Sequence, residues 1–206
     1  MWMNKGDYYL FQAPQRSNLW HQVRYGRCTA SIFYECAKNS ERALRSVLGE
    51  RVPMNEDIKR GIENEPKARK WYENKFKVKV EEIGFAVPKW NLWIGASTDG
   101  LVGDDGIIEI KCPRKIHDKL RKYIEDSKNG RRVSIKDYIF ESYYAQMQGG
   151  MAILGRKWCD FIVYCEGSEV FFSRVPFDRE YWDTLYRQIN GFIERNNLKS
   201  LKIIKP

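Results

Sequence analysis

The segment 106–111, GIIEIK, sets the isoleucines of a buried β-strand around two full charges. Side chains two positions apart on a strand leave the same face, so Glu109 and Lys111 share one side while Ile108 and Ile110 share the other. One face must therefore be covered by apolar residues, and the other must meet charge. Asp99 closes the preceding strand-like run. This pattern confines the chain to a sheet in which an acid, a second acid and a lysine gather at the rim of the core.

The flanking segments suit such a sheet. Residues before 29 read as irregular. TASIFYECAK (29–38) and SERALRSVLG (40–49) read as short helices, the second closed by Gly49. Residues 55–76 have helical spacing, with Ile58, Ile62, Glu65, Arg69 and Tyr72 along one stripe. Strands follow at 77–87, 91–98 and 107–112, separated by the turn signals PKWN and GDDG. Helices at 115–126 and 134–153, strands KWCDFIVYCE (157–166) and EVFFSRV (169–175), and a helix over 178–196 complete the order. The expectation is an α/β fold with a central mixed β-sheet flanked by α-helices, its charged strand in the middle. No repeat or Pro/Gly/Ser linker divides the chain, so residues 1–206 read as one domain.

Hydrophobic content of 43%, with seven Trp, twelve Tyr and ten Phe, is ample for a core. No run of eighteen apolar residues spans a membrane, and MWMNKGDYYLF lacks the apolar block of a signal peptide, so secretion is not expected. Five cysteines without a C-x-x-C pair point to reduced thiols inside a cell, in the cytoplasm or the nucleus of a host, and away from a zinc knuckle. The net charge of +9 suits a polyanionic partner. Between Lys111 and Arg132, nine of 22 residues are Lys or Arg and three are acidic. That run is either a solvated helix or a phosphate-facing ridge.

The chemistry rests on carboxylates. His21 and His117 lie in no nucleophile motif, and neither a P-loop nor a G-x-G-x-x-G is present. The GDDG turn predicts a hairpin of 92–99 with 107–112, which brings Asp99 beside Glu109 and Lys111. Two carboxylates about 4 Å apart repel by roughly 4 kcal/mol at an effective dielectric near 20. A hard dication reverses that sign, and the Ile110 backbone carbonyl offers a further oxygen. Glu65 has two readings, a third ligand or the partner of Arg69 one turn along. Lys111, biased toward its charged form by the acids, suits positioning of water and stabilisation of phosphate charge.

At this point the sequence resembles a known family. TD followed by EIK is similar to the PD-(D/E)xK nuclease hairpin, and STDG with EIKCP resembles the lambda exonuclease family, the YqaJ-like viral recombinase nucleases. WHQVRYGRCTAS (20–31), GIENE (61–65) and YYAQMQ (143–148) resemble that family's further blocks in the same order. The resemblance implies a restriction-endonuclease-like core. It implies a Mg²⁺-dependent 5′-to-3′ exonuclease on double-stranded DNA, with Mn²⁺ able to substitute, that leaves 3′ single-stranded tails for recombination. Asp99, Glu109 and Glu65, with the Ile110 carbonyl, become the metal ligands; Lys111 becomes the catalytic lysine and Gln146 the glutamine lining the site. Arg24, Ser31 and Ser97 match positions that hold a terminal 5′-phosphate. A single-strand annealing protein is the implied partner, and relatives act as monomers or ring trimers. The alternatives are a structure- or sequence-specific endonuclease on the same fold, or a non-catalytic DNA-binding module. Two departures stand out: Thr98 replaces a frequent proline, and Pro66 after Glu65 predicts a kink, or a helix that starts at Glu65.

Overall fold

The opening residues, expected to be irregular, form a β-hairpin. Trp2–Lys5 (β1) pairs antiparallel with Tyr8–Phe11 (β2), across a turn in which Gly6 takes a φ of 75°. In the computed structural model, which describes residues 1–167 and 170–206, a helix follows at Asn18–Arg24 (α1). The Ser17 hydroxyl caps it by accepting from the Trp20 N–H. Elements this short show too few periods to be legible as patterns. Cys28–Thr29 (β3) and a 3₁₀ turn at Ala30–Ile32 lead into Phe33–Ala37 (α2) and Glu41–Val47 (α3).

Glu56–Phe76 (α4) is capped by Asn55, carries Glu56 and Asp57 in its first turn, and ends at Lys77 in the left-handed region. It runs through Pro66 and does not start at Glu65. Ala68 and Tyr72, buried against the sheet, anchor the half beyond the proline, so packing carries the helix across one missing hydrogen bond. Its buried seam is Asn64, Ala68 and Tyr72, which leaves Glu65 and Arg69 at the edge of the seam.

The segment expected as one strand over 77–87 divides into Val80–Glu81 (β4) and Phe85–Pro88 (β5), which belong to different sheets. Gly84 lies between them, where a Cβ would stand 2.1 Å from the Phe11 carbonyl oxygen. Of 91–98, only Ile94–Gly95 (β6) is strand, paired parallel with β3. The hairpin is Gly100–Val102 (β7) with Gly106–Lys111 (β8), so the predicted pairing of 92–99 with 107–112 is corrected. The reason is that Ala96 bridges to Ala86 in β5, and the chain changes sheets over Ser97–Asp99. Asp99 therefore stands just ahead of the hairpin.

Asp118–Lys128 (α5) begins at the His117 cap, and Glu141–Leu154 (α6) follows a 3₁₀ turn at Ile135–Asp137. Trp158–Val163 (β9), Phe171–Pro176 (β10) and Arg179–Arg195 (α7) complete the core. Glu169, in the expected last strand, lies outside the described residues. The main sheet runs β10-β9-β8-β7-β4, with β8 and β9 parallel and the other pairs antiparallel. The charged strand is the middle one.

Both faces of β8 are covered. Ile108 and Ile110 pack with Ala68 and Tyr72 of α4, whereas Ile107 belongs to the larger core with Ala145 and Met147 of α6. Coverage on two sides is why the strand reads as a near-continuous apolar run. Glu109 and Lys111 consequently project toward α6. That helix comes close because of Gly150, where a Cβ would stand 3.2 Å from the Ile107 side chain of β8 and 3.0 Å from Thr98.

Candidate active site

Three elements converge on the end of β8. Glu109 is only 2% exposed, and its Oε1 accepts from the Lys111 Nζ at 2.8 Å. The same ammonium donates to Gln146 Oε1 on α6 at 3.0 Å and lies 4.7 Å from the centre of the Tyr143 ring. Asp99, partly buried, accepts from the Ile110 N–H through Oδ2 at 2.6 Å. A strand residue's N–H and C=O point to the same side. The Ile110 carbonyl thus faces the edge at which β7 has ended and Asp99 stands.

The electrostatics follow from burial. Desolvation, then the charges of Glu109 and Glu65, push the Asp99 carboxyl well above its ordinary range. Desolvation also raises Glu109, against the pull of Lys111. For Lys111 itself burial lowers the pKa, but Glu109 and Asp99 outweigh it, and the ammonium is held above its usual value. It is a cation here, unsuited to accepting a proton.

Glu65 approaches from α4 as the partner of Arg69, the second of its two sequence readings. Its carboxylate accepts from Arg69 at 2.9 Å, the one-turn pair, and from Arg16 at 3.0 Å. Its charge still acts on Asp99 and Glu109. Arg69 also donates its Nε to the Asp99 backbone carbonyl at 3.2 Å, so one guanidinium joins the helix to the acid pair.

A second cluster adjoins the first. The Arg24 guanidinium stacks 3.9 Å over the Trp20 ring and donates to Thr29 Oγ1 at 3.2 Å. Thr29 Oγ1 and Ser31 Oγ lie 3.3 Å apart, and the Trp20 indole N–H donates to Ser97 Oγ at 2.9 Å. Arg24, Ser31 and Ser97 are thereby joined in one network through Thr29 and Trp20. Burial lowers the Arg24 pKa to about 10, which leaves it charged at neutral pH. It lines a cleft of about 970 Å³ together with Arg16, Arg42 and Arg51. Arg27 is different. It is fully buried, with donors spent on the carbonyls of Val23, Leu92 and Ile204, and it is part of the framework.

Residues 19–157 match the YqaJ-like viral recombinase domain. The chain belongs to that family. The YqaJ-like chain is similar to the crystal structure of an alkaline exonuclease (LHK-Exo) from Laribacter hongkongensis, with 28% identity, a TM-score of 0.68, and 89% of this chain and 95% of that chain covered. The same protein in complex with dAMP gives a TM-score of 0.69 at 28% identity, with the same coverage. A phage-related exonuclease from Haemophilus somnus 129PT shares the fold, with 14% identity, a TM-score of 0.57 and coverage of 88% and 99%. No curated protein sequence matches. The fold is the α/β, restriction-endonuclease-like core: a mixed central sheet flanked by helices.

The YqaJ-like domain's donor set fits a hard dication at two of its three acids. Asp99 and Glu109 are desolvated like charges beside a backbone carbonyl, an arrangement that an added cation relieves. Among the described residues no three His, Cys, Asp or Glu side chains are disposed to hold a metal together, and both Glu65 oxygens are engaged by arginines. Glu65 would complete such a site only by exchanging Arg16 or Arg69 for the ion.

Sequence reasoning missed Arg16, Thr29 and Asp160. Arg16 adopts a φ of 68°, and no sequence signal marks it. Thr29 sits inside the quoted T-A-S block and was legible there. Asp160, fully buried on β9, accepts from Tyr72 Oη at 2.6 Å and from the Arg174 guanidinium at 2.7 and 2.8 Å. It pins α4, and with it Glu65, to the sheet. Among the described residues no helix is long and apolar enough to cross a membrane.

Proposed function

We propose that this YqaJ-like chain, read as one nuclease domain over 1–206, is a metal-dependent deoxyribonuclease. It removes nucleotides from the 5′ ends of duplex DNA and leaves 3′ single-stranded tails, the substrate of a single-strand annealing protein. The observation that carries this reading is the two-residue step from Ser97, in the Arg24 network, to Asp99, in the acid pair. A phosphate held at the first places the neighbouring phosphodiester at the second. Family membership and the likeness to LHK-Exo support the nuclease chemistry.

Each side chain then has a stated task. The Arg24 fork, with the Ser31 and Ser97 hydroxyls, binds a terminal phosphate monoester. Lys111, held as an ammonium, orients the attacking water and balances charge on the phosphate. Gln146 and the Tyr143 face fix that ammonium in place. When bound at Asp99, Glu109 and Glu65, Mg²⁺ or Mn²⁺ supplies Lewis acidity at the phosphate being cut. The water oxygen bonds to phosphorus as the P–O3′ bond breaks, and O3′ leaves with a proton. The phosphate stays on the next nucleotide, which regenerates the end that the Arg24 network holds.

End-labelled linear duplex, incubated with Mg²⁺ or with chelator, tests the reading. The expected result is mononucleotide release from 5′-phosphorylated ends, faster than from 5′-hydroxyl ends, and none with chelator. Cutting of covalently closed circles would replace this reading with an endonuclease, and no cleavage of any DNA would end it.

A further inference from the structure

Beyond Lys111, between β8, α5 and the start of α6, lies a recess of about 100 Å³. Its floor is apolar and buried, formed by Phe161 and Val163. Its wall is aromatic. Phe140 meets His117 at 5.0 Å and 69°, and Tyr143 at 5.4 Å and 89°, so the rings form a corner of π-surface. Three lysines, Lys111, Lys115 and Lys119, stand around it, and no carboxylate lines it.

Phe140 is the residue that asks for an explanation. It occupies the N-cap of α6, where Ser, Thr, Asp or Asn would accept a backbone hydrogen bond, and it makes no such bond. The residue is 45% exposed. A cap given up to hold a phenyl group in water is locally unfavourable twice over, and such departures gather at functional sites. A recess of about 100 Å³ is too small for a base pair and takes a single flat heterocycle laid against its aromatic wall.

Position supplies the rest. Lys111 lines the recess and also bonds Glu109. Arg16, in turn, lines the Arg24 cleft and bonds Glu65. The acids therefore lie between the cleft and the recess. A strand with its 5′-phosphate in the cleft and its first phosphodiester at the acids carries its second nucleotide to the recess.

We propose that this recess holds the unpaired base of the nucleotide on the 3′ side of the scissile bond. Phe140 stacks the base, Tyr143 meets its edge, and Lys115 and Lys119 face its phosphates. Sequence-tolerant stacking on aromatic rings is how single-stranded nucleic acid is held without base readout. The recess would keep the end frayed while the next phosphate advances. This inference rests on the exonuclease reading, which fixes the strand's direction.

The test is a binding cycle in chelator. Fluorescence anisotropy measures Kd for 5′-phosphorylated duplexes labelled at the far end, either intact or carrying one abasic residue at each of the first four positions. Parent protein, Phe140→Ala and the milder Phe140→Leu are compared. Phe140→Ala is expected to weaken binding about tenfold on the intact duplex and on those abasic at positions one, three or four. On the duplex abasic at position two it should change nothing, because the stacked partner is already gone. Phe140→Leu, which keeps an apolar side chain at that site, should show the same position dependence at smaller amplitude. Equal weakening on every duplex, or none, would overturn the subsite. Mg²⁺-driven cleavage of the intact duplex by the parent protein judges the exonuclease reading separately.

Discussion

The Lys111 ammonium on β8 donates a 3.0 Å hydrogen bond to the Gln146 side chain on α6, two elements brought together by the close approach of Gly150 to Ile107. Gln146 thus acts on the reaction through Lys111. Gln146→Leu should lower kcat by about tenfold, the worth of one hydrogen bond to a charged group, with little change in KM. Steady-state kinetics on a linear duplex, with a thermal scan of the variant, checks this. A rise in KM at constant kcat would assign Gln146 to binding the substrate directly.

Asp99 and Glu109 repel within a desolvated site, so neutralising one should not destabilise the fold. Asp99→Asn keeps an acceptor for the Ile110 N–H while removing the charge. In chelator its Tm should equal or exceed that of the parent; with Mg²⁺ the parent should gain Tm and the variant should not. Cleavage should fall by about a thousandfold or more, the scale of charge stabilisation at a phosphoryl oxygen. Scanning fluorimetry with and without Mg²⁺ separates these outcomes, and an equal gain of Tm in both proteins would remove Asp99 from the ligand set.

Arg24 combines a guanidinium stacked on Trp20 with a hydrogen bond to Thr29, a planar arrangement that a lysine cannot copy. Arg24→Lys should therefore lose about tenfold or more in kcat/KM on 5′-phosphorylated ends and little on 5′-hydroxyl ends. Competition between the two ends in one reaction reads the ratio directly. An equal loss on both would mean that Arg24 serves the fold and not the end.

Much of this site was legible because it is local. The two-residue alternation of β8 fixes which side chains share a face, and that face does hold Glu109 and Lys111 toward α6. The order of helices and strands from β8 onward follows from period and turn chemistry. What the sequence hides is pairing at long range. Ala96 bridges to Ala86, so Asp99 leads into the hairpin β7–β8 instead of lying within it. Arg16, far from Glu65 along the chain, becomes its partner only through the path of the N-terminal hairpin. The motif glutamines divide in the same way. Gln146 faces the site, whereas Gln148, fully buried, donates to the Pro176 carbonyl and accepts from the Asp178 N–H. Residues two apart on a helix point in nearly opposite directions.

Asp178 ties α6 to α7, and its protonation should be visible in stability. Its carboxylate caps α7 by accepting from the Tyr181 N–H at 3.0 Å and accepts from the Tyr144 hydroxyl at 3.1 Å. The cap bond comes first among the causes that hold its pKa below the ordinary value, with Tyr144 and Lys136 adding to it. A depressed folded pKa gives stability that is present above the unfolded value, near 4, and is lost as pH falls through the folded one. Asp178→Ala should cost about 1 kcal/mol at neutral pH. The gap between variant and parent should narrow in urea titrations performed below about pH 4.

Glu65 is held by two arginines of unequal standing. Arg16 is about half exposed, and its pair is a surface contact worth at most about 1 kcal/mol. Arg69 is largely buried and also grips the Asp99 carbonyl, so it places Glu65 as well as neutralising it. The two should act oppositely on a bound ion. Arg16→Ala removes a competitor for the Glu65 carboxylate and should lower the Mg²⁺ concentration for half-maximal stabilisation by up to about fivefold. Arg69→Ala should raise it, because Glu65 and the Asp99 backbone lose their common tie. Thermal shifts across a Mg²⁺ titration of the two variants give both midpoints. If neither midpoint moves, Glu65 takes no part in holding the metal, and its place is in the arginine network alone.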